Sequence, residues 1–140
     1  MKKSFLTLLG IIVATVSLFA NNPDHQLTIV VNNIESTEGI LTVSLFDSEG
    51  NWLKSGQSQR VAVKTTPSVS LTFDGLPKGT YAVSVYHDKN SNDKLDTGAF
   101  GIPMEAYGFS NDARGLFGPA DFDECTFEIS DNKQIEINIK

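Results

Sequence analysis

Cysteine is all but missing from this chain of 140 residues: Cys125 is the only one, so no internal disulfide can form and stability has to come from packing or a bound metal. Cys125 alternates with Phe127 and Ile129, which reads it as a buried small hydrophobe on a strand face rather than a reactive thiol. Histidine is nearly as scarce. His25 and His87 are the only two, no pair drawn from them and Cys125 has ligand spacing, and a zinc or iron centre is thereby disfavoured. His87, beside Asp88, reads as a strand-end residue hydrogen-bonded to its neighbours. Basic residues are outnumbered, 11 Lys and Arg against 17 Asp and Glu, so nucleic acid and anionic membrane surfaces, which need clustered cations, are not expected partners. The charge favours cations instead. After Ala20 no stretch sustains a helical apolar period, and no internal repeat, low-complexity tract or second domain emerges.

The one long apolar run is N-terminal. Lys2 and Lys3 precede an uncharged, mostly apolar stretch from Ser4 to Ala20, the pattern of a secretory signal, and the chain turns polar at once with Asn21, Asn22, Pro23 and Asp24. The run is short for a spanning helix. The expectation is therefore a signal over residues 1–20, no stable membrane insertion after its removal, and a single domain over residues 21–140 in the periplasm or at the cell surface. No cysteine stands at the cleavage region to carry a lipid anchor, and Leu18, large for its place before the cut, leaves the bond itself open. The mature chain keeps nine Lys and Arg against 17 acids, a net charge of about minus eight.

Period-two alternation dominates the mature chain. Apolar faces recur at Leu27, Ile29 and Val31; Leu41, Val43 and Leu45; Val61 and Val63; Val69, Leu71 and Phe73; Tyr81, Val83 and Val85; Phe127 and Ile129; and Ile135, Ile137 and Ile139. Between the fourth and fifth runs, Asp74-Gly75-Leu76-Pro77-Lys78-Gly79 spells a tight turn. About seven short strands without interleaved helices predict an all-β fold, an antiparallel β-sandwich of the immunoglobulin kind, with a closed barrel as the alternative. One long loop, Asp88 to Asp123, contains no convincing strand; its five aromatics, Phe100, Tyr107, Phe109, Phe117 and Phe122, argue that it is ordered.

The start of that loop has the chemistry of a calcium site. Asp88, Asn90, Asn92 and Asp96 fall at the first, third, fifth and ninth positions of a calcium loop, with the Lys94 carbonyl at the seventh, and calcium wants six to eight hard oxygens. Asp93 stands where such loops have glycine, and Ala99 where they have a bidentate Glu, so Glu105, Asp112 or a backbone carbonyl would have to complete the shell. The other reading is an Asn/Asp turn closed by side-chain to backbone hydrogen bonds. Calcium is the only cofactor expected.

Further on, Phe100-Gly101-Ile102-Pro103 through Asn111 and Gly115-Leu116-Phe117-Gly118-Pro119 interleave turns with aromatics. Either this segment is a satellite core capping the sandwich, or Tyr107, Phe109 and Phe117 offer flat faces to a sugar, a peptide or a partner protein, with Glu105, Asn111 and Arg114 as polar handles. Arg114 is expected to pair with Glu105 or Asp112, and Trp52 to lie over a sheet edge rather than bind ligand. No nucleophile elbow, phosphate loop or Ser-His-Asp order occurs, so the chain is not expected to be an enzyme. The remaining catalytic alternative is an exported hydrolase of glycans or peptides with Glu105 as general acid or base.

From Gly39 onward the chain resembles a family of exported bacterial proteins known as domain of unknown function 2141. The residues carrying the likeness are Leu76-Pro77-Lys78-Gly79-Thr80-Tyr81-Ala82-Val83, His87-Asp88-Lys89-Asn90-Ser91-Asn92, Lys94-Leu95-Asp96, Gly101-Ile102-Pro103-Met104-Glu105, Tyr107-Gly108-Phe109-Ser110 and Gly118-Pro119. The resemblance implies an extracytoplasmic place and brings no activity with it; Ala106 departs from the glycine of the family pattern. Locally, the Asp-Asn-Asn loop looks like calcium loops of bacterial surface adhesins, and the Leu-Pro-x-Gly-x-Tyr turn like transthyretin-type sandwiches. Both lean toward a structural or binding module.

Overall fold

The computed structural model describes residues 24–140. The export signal expected over residues 1–20 lies outside them. Eight strands form two sheets. The smaller sheet holds three strands in the order β4 (Val69–Leu76), β1 (His25–Asn32), β8 (Lys133–Asn138). The larger runs β3 (Gln57–Ala62), β2 (Ile40–Phe46), β5 (Gly79–Asp88), β6 (Tyr107–Phe109), with β7 (Phe127–Ile129) pairing to the start of β5. The all-β sandwich is as expected, and there is no barrel.

Alternation fixes which side chains meet between the sheets. Leu27, Ile29 and Val31 of β1, Leu41 and Val43 of β2, Phe73 of β4, Val83 of β5 and Ile137 of β8 are all completely buried. Register keeps them level, as in the antiparallel pairing of Ile29 with Leu71 and of Val43 with Val85. A one-residue slip would turn each of these faces to water. The Pro77 turn joins β4 to β5 as expected, and the Tyr81 hydroxyl donates to the Pro77 carbonyl at 2.9 Å.

Four expectations need correction. The smaller sheet is mixed rather than antiparallel, because β8 runs parallel to β1, Ile29 opposite Ile135 and Val31 opposite Ile137. The third strand runs over Gln57–Ala62, so it holds Val61 but starts well before it and leaves Val63 outside; as an edge strand it is exposed along much of its length, so its sequence is polar and carries little alternation. The long loop does contain a strand, β6, broken in sequence by Gly108. A Cβ at that position would sit 3.0 Å from Ile137 Cγ2 and 3.2 Å from the Asn138 carbonyl, so the glycine lets β6 approach β8. Finally, Cys125 is buried but ends a single helical turn, α1 (Phe122–Cys125), and does not share a strand face with Phe127 and Ile129.

A second apolar cluster lies outside the sandwich. Phe46 and Ala82, cross-strand partners whose side chains leave the outer face of the larger sheet, join Phe109, Ala120, Phe122 and Cys125. Trp52 covers them, its ring centroid 5.0 Å from Phe46, 5.7 Å from Phe109 and 5.8 Å from Phe122, with Nε1 donating to the Ala120 carbonyl at 3.0 Å. The tryptophan thus packs on a sheet face rather than an edge.

Candidate functional site

Two features stand beside each other at one end of the larger sheet. The first is the loop leaving β5. Asp88, the last residue of the strand, is fully buried; its Oδ1 accepts the Asn92 N–H at 3.1 Å and its Oδ2 the Asp93 N–H at 2.8 Å. Asn90 Oδ1 accepts from the Asn92 amide and Asn92 Oδ1 from the Lys94 amide, each at 3.2 Å. Ser91 and Asp93 supply the positive φ the curl needs, 57° and 68°, so Asp93 takes the conformation for which such loops use glycine. Asp96 receives Nδ2 of Asn92 at 2.8 Å and of Asn90 at 2.6 Å, and these bonds, Asn92's first, hold its carboxyl below the ordinary 3.8.

Neighbouring residues fasten this loop. Gly39, at φ 75°, lies so close that a Cβ there would fall 2.1 Å from the Asp88 carbonyl. His87 Nε2 lies 2.7 Å from the Glu38 carbonyl oxygen, which makes it the protonated, donating nitrogen. Glu105 closes the loop from the far side, Oε1 accepting the Lys89 N–H and Oε2 the Asp96 N–H, both at 3.0 Å. The expected pairing of Arg114 with Glu105 or Asp112 is therefore not made. Arg114 donates to the carbonyls of Tyr107 at 3.3 Å and Asn138 at 3.0 Å, with its guanidinium over the Tyr107 ring, while Asp112 accepts from the Asn138 amide at 2.8 Å. Both residues are tied to the C-terminal strand, which no local spacing could reveal. Both Asp112 oxygens accept from Asn138.

The loop's side-chain to backbone hydrogen bonds are those of an Asn/Asp turn. Its oxygens still have lone pairs to offer a hard cation. Among the described residues no three acidic, imidazole or thiol groups converge as metal ligands, so a cation here would rest mainly on amide and backbone oxygens.

The second feature is a cleft of about 1090 Å³ over the outer face of the larger sheet. Small side chains make its floor: Ser44 stands opposite Ser58 on one side and Ser84 on the other. Phe46, Tyr86, Tyr107 and Phe109 flank them, and two loops, Thr97 to Pro103 and Gly115 to Pro119, form the rims. The first rim is pinned by the Thr97 to Pro103 bridge and by Gly98 N–H donating to the Ile102 carbonyl at 2.8 Å. At its tip Phe100 sits at φ 59°, fully exposed, and Phe117 on the opposite rim is fully exposed too.

Of the residues expected to meet a ligand, the fold brings Tyr107, Phe109 and Phe117 to the cleft. They differ in exposure: Phe109 is buried, Tyr107 half-buried and Phe117 exposed. Glu105, Asn111 and Arg114 do not line it. Asn111, at φ 61°, donates Nδ2 to the Glu124 and Thr126 carbonyls at 3.1 and 2.8 Å and so holds α1 in place. Sequence reasoning missed the serine floor, because Ser44, Ser58 and Ser84 carry no signal one by one and become a surface only through register.

A protein family described as "Uncharacterized protein conserved in bacteria (DUF2141)" matches residues 29–138. The chain belongs to this family. The match runs from β1 into β8, so the DUF2141 unit comprises the sandwich, the Asp88 loop and both rims of the cleft. Comparison with curated proteins and with solved structures returns no match. Among the described residues no helix is long and apolar enough to cross a membrane.

Proposed function

We propose that the chain is an exported, non-catalytic binding module of the bacterial envelope, a β-sandwich that presents the cleft on its larger sheet to a ligand and uses calcium in the adjacent loop to hold one rim. The observation carrying this reading is the cleft itself, bordered by large apolar side chains left in water. A purely structural role would bury Tyr107, Phe109 and Phe117 together, and Phe117 is instead fully exposed. The hydrolase reading finds less support. Among the described residues no carboxylate lines the cleft, and both Glu105 oxygens accept from backbone N–H groups, of Lys89 and Asp96.

Calcium would meet Asp88, Asn90, Asn92, Asp96 and the Lys94 carbonyl, with Glu105 beside them. Few charges among the donors predict an affinity in the range of about 10⁻⁴ to 10⁻³ M found for extracellular modules. Loop and rim are coupled through Asp96, whose carbonyl accepts the Met104 N–H at 2.8 Å. A thermal melt with millimolar calcium and then with excess chelator tests this half. A ligand of the native state raises the midpoint by mass action, so a rise of about 3–6 °C that magnesium does not reproduce, and that Asp88→Ala abolishes, is expected. Coincident melts would reduce the loop to an Asn/Asp turn and leave the cleft to be tested on its own.

A further inference from the structure

We propose that the cleft takes a monoanionic amphiphile, a molecule with an extended apolar body and one acidic head, the body lying along the serine floor and the head at Lys54. This rests on reading the cleft as a binding site and names what fits it.

Charge is the first observation. The chain has 17 Asp and Glu against 11 Lys and Arg, yet among the described residues no acid lines the cleft and Lys54 is the only charged residue that does. A cationic ligand would meet no counter-charge, and a polyanion would find one cation only. A single acidic group is what one lysine can orient.

The rims supply the second observation. Phe100, Ile102, Leu116 and Phe117 border the cleft, all of them exposed, Ile102 at 63 % and Leu116 at 93 %. An exposed apolar patch of this kind around a concave surface marks a binding site, and an apolar body would cover it. Phe100 adds to this: a bulky residue held at φ 59° is a strained conformation, and strain of this sort persists where a surrounding framework imposes it.

The floor argues against a sugar. Ser44 and Ser58 hydroxyls bond each other at 2.7 Å, which leaves them less need of a polar partner. Among the described residues none of the side chains that grip vicinal hydroxyls by two points (Asp, Glu, Asn, Gln, Arg) lines the cleft. Small floor residues do let a slender body lie close to the sheet.

The test is displacement of the neutral dye N-phenyl-1-naphthylamine from the purified protein by dodecanoate, dodecanol and dodecylamine, each below its micellar concentration. Emission of Trp52, the only tryptophan, gives an independent signal, since its ring touches Phe46 and Phe109 of the cleft wall. Dodecanoate is expected to displace the dye and dodecylamine to be the weakest competitor. Lys54→Ala should weaken dodecanoate about two- to five-fold, the effect of an exposed ion pair, and leave dodecanol unchanged. Ser44→Phe, which fills the floor, should weaken every competitor; should that variant misfold, Phe117→Ser on the exposed rim reads the same contact without touching a core. Dye binding with no preference for dodecanoate over dodecylamine would overturn the ligand class and leave the cleft a binding site. Failure of the dye and all three amphiphiles to bind would overturn both.

Discussion

The two faces of the larger sheet share its central strands, β2 and β5, and treat their side chains in opposite ways. On the inner face Leu41, Val43 and Val83 are fully buried and pack against a second sheet. On the outer face Phe46 and Ala82 gain a cover from Trp52, Phe109 and Phe122, while the neighbouring Ser44 and Ser84 lie open beneath two loops with exposed aromatic tips. One face is a core finished by the fold. The other is finished at one end only, and the difference shows that alternation assigns direction to a side chain and says nothing about what will cover it.

Cutting an aromatic ring from each side of the sheet puts this contrast to its most severe trial. Phe73→Ala, a fully buried ring between the sheets, is expected to cost about 3–5 kcal/mol in urea unfolding. Phe117→Ala on the outer rim should stay within about 0.5 kcal/mol. Equal losses would mean that both faces are core. A smaller effect belongs to the junction between the second cluster and the sheet. Buried Ser110 accepts the Val83 N–H at 2.9 Å and donates to the Cys125 carbonyl, so Ser110→Ala leaves buried groups unpaired and should cost about 1–3 kcal/mol in the same assay.

The smallest effect concerns Cys125. Burial first, then the nearby Glu124 and Asp121, push its thiol from 9.0 up to about 11. The native protein is therefore expected to resist alkylation at pH 8 and to react at the rate of a free thiol only after denaturation. Its contribution to stability is whole below pH 9.0, where the thiol is neutral folded or unfolded, and is lost as pH rises from there through about 11. Rapid native alkylation at pH 8 would show that the second cluster opens readily.

Much of the inner face could be read from the sequence because a strand buried on one side writes that side as every second residue. Leu27, Ile29 and Val31 are one such line, and the Asp88 loop was legible for a similar reason, its oxygens being spaced along a single local curl. The rest depends on contacts distant in sequence. β3 is marked only at Val61, and the polar residues from Gln57 to Arg60 carry no signal of where the edge strand begins. Arg114 and Asp112 find their partners at Asn138, and β6 owes its place to a gap at Gly108 that Ile137, Asn138 and Ile139 define.

The parallel pairing of β1 with β8 has a consequence for how the molecule is made. Leu27 to Asn32 share a sheet with residues 133–138, so one edge of β1 stays unpaired until a segment far along the chain docks on it. Pairings across such a separation close late, since the loop entropy comes before any contact rewards it. The smaller sheet is thus completed late in folding, and β1 stays available to open up again until β8 docks.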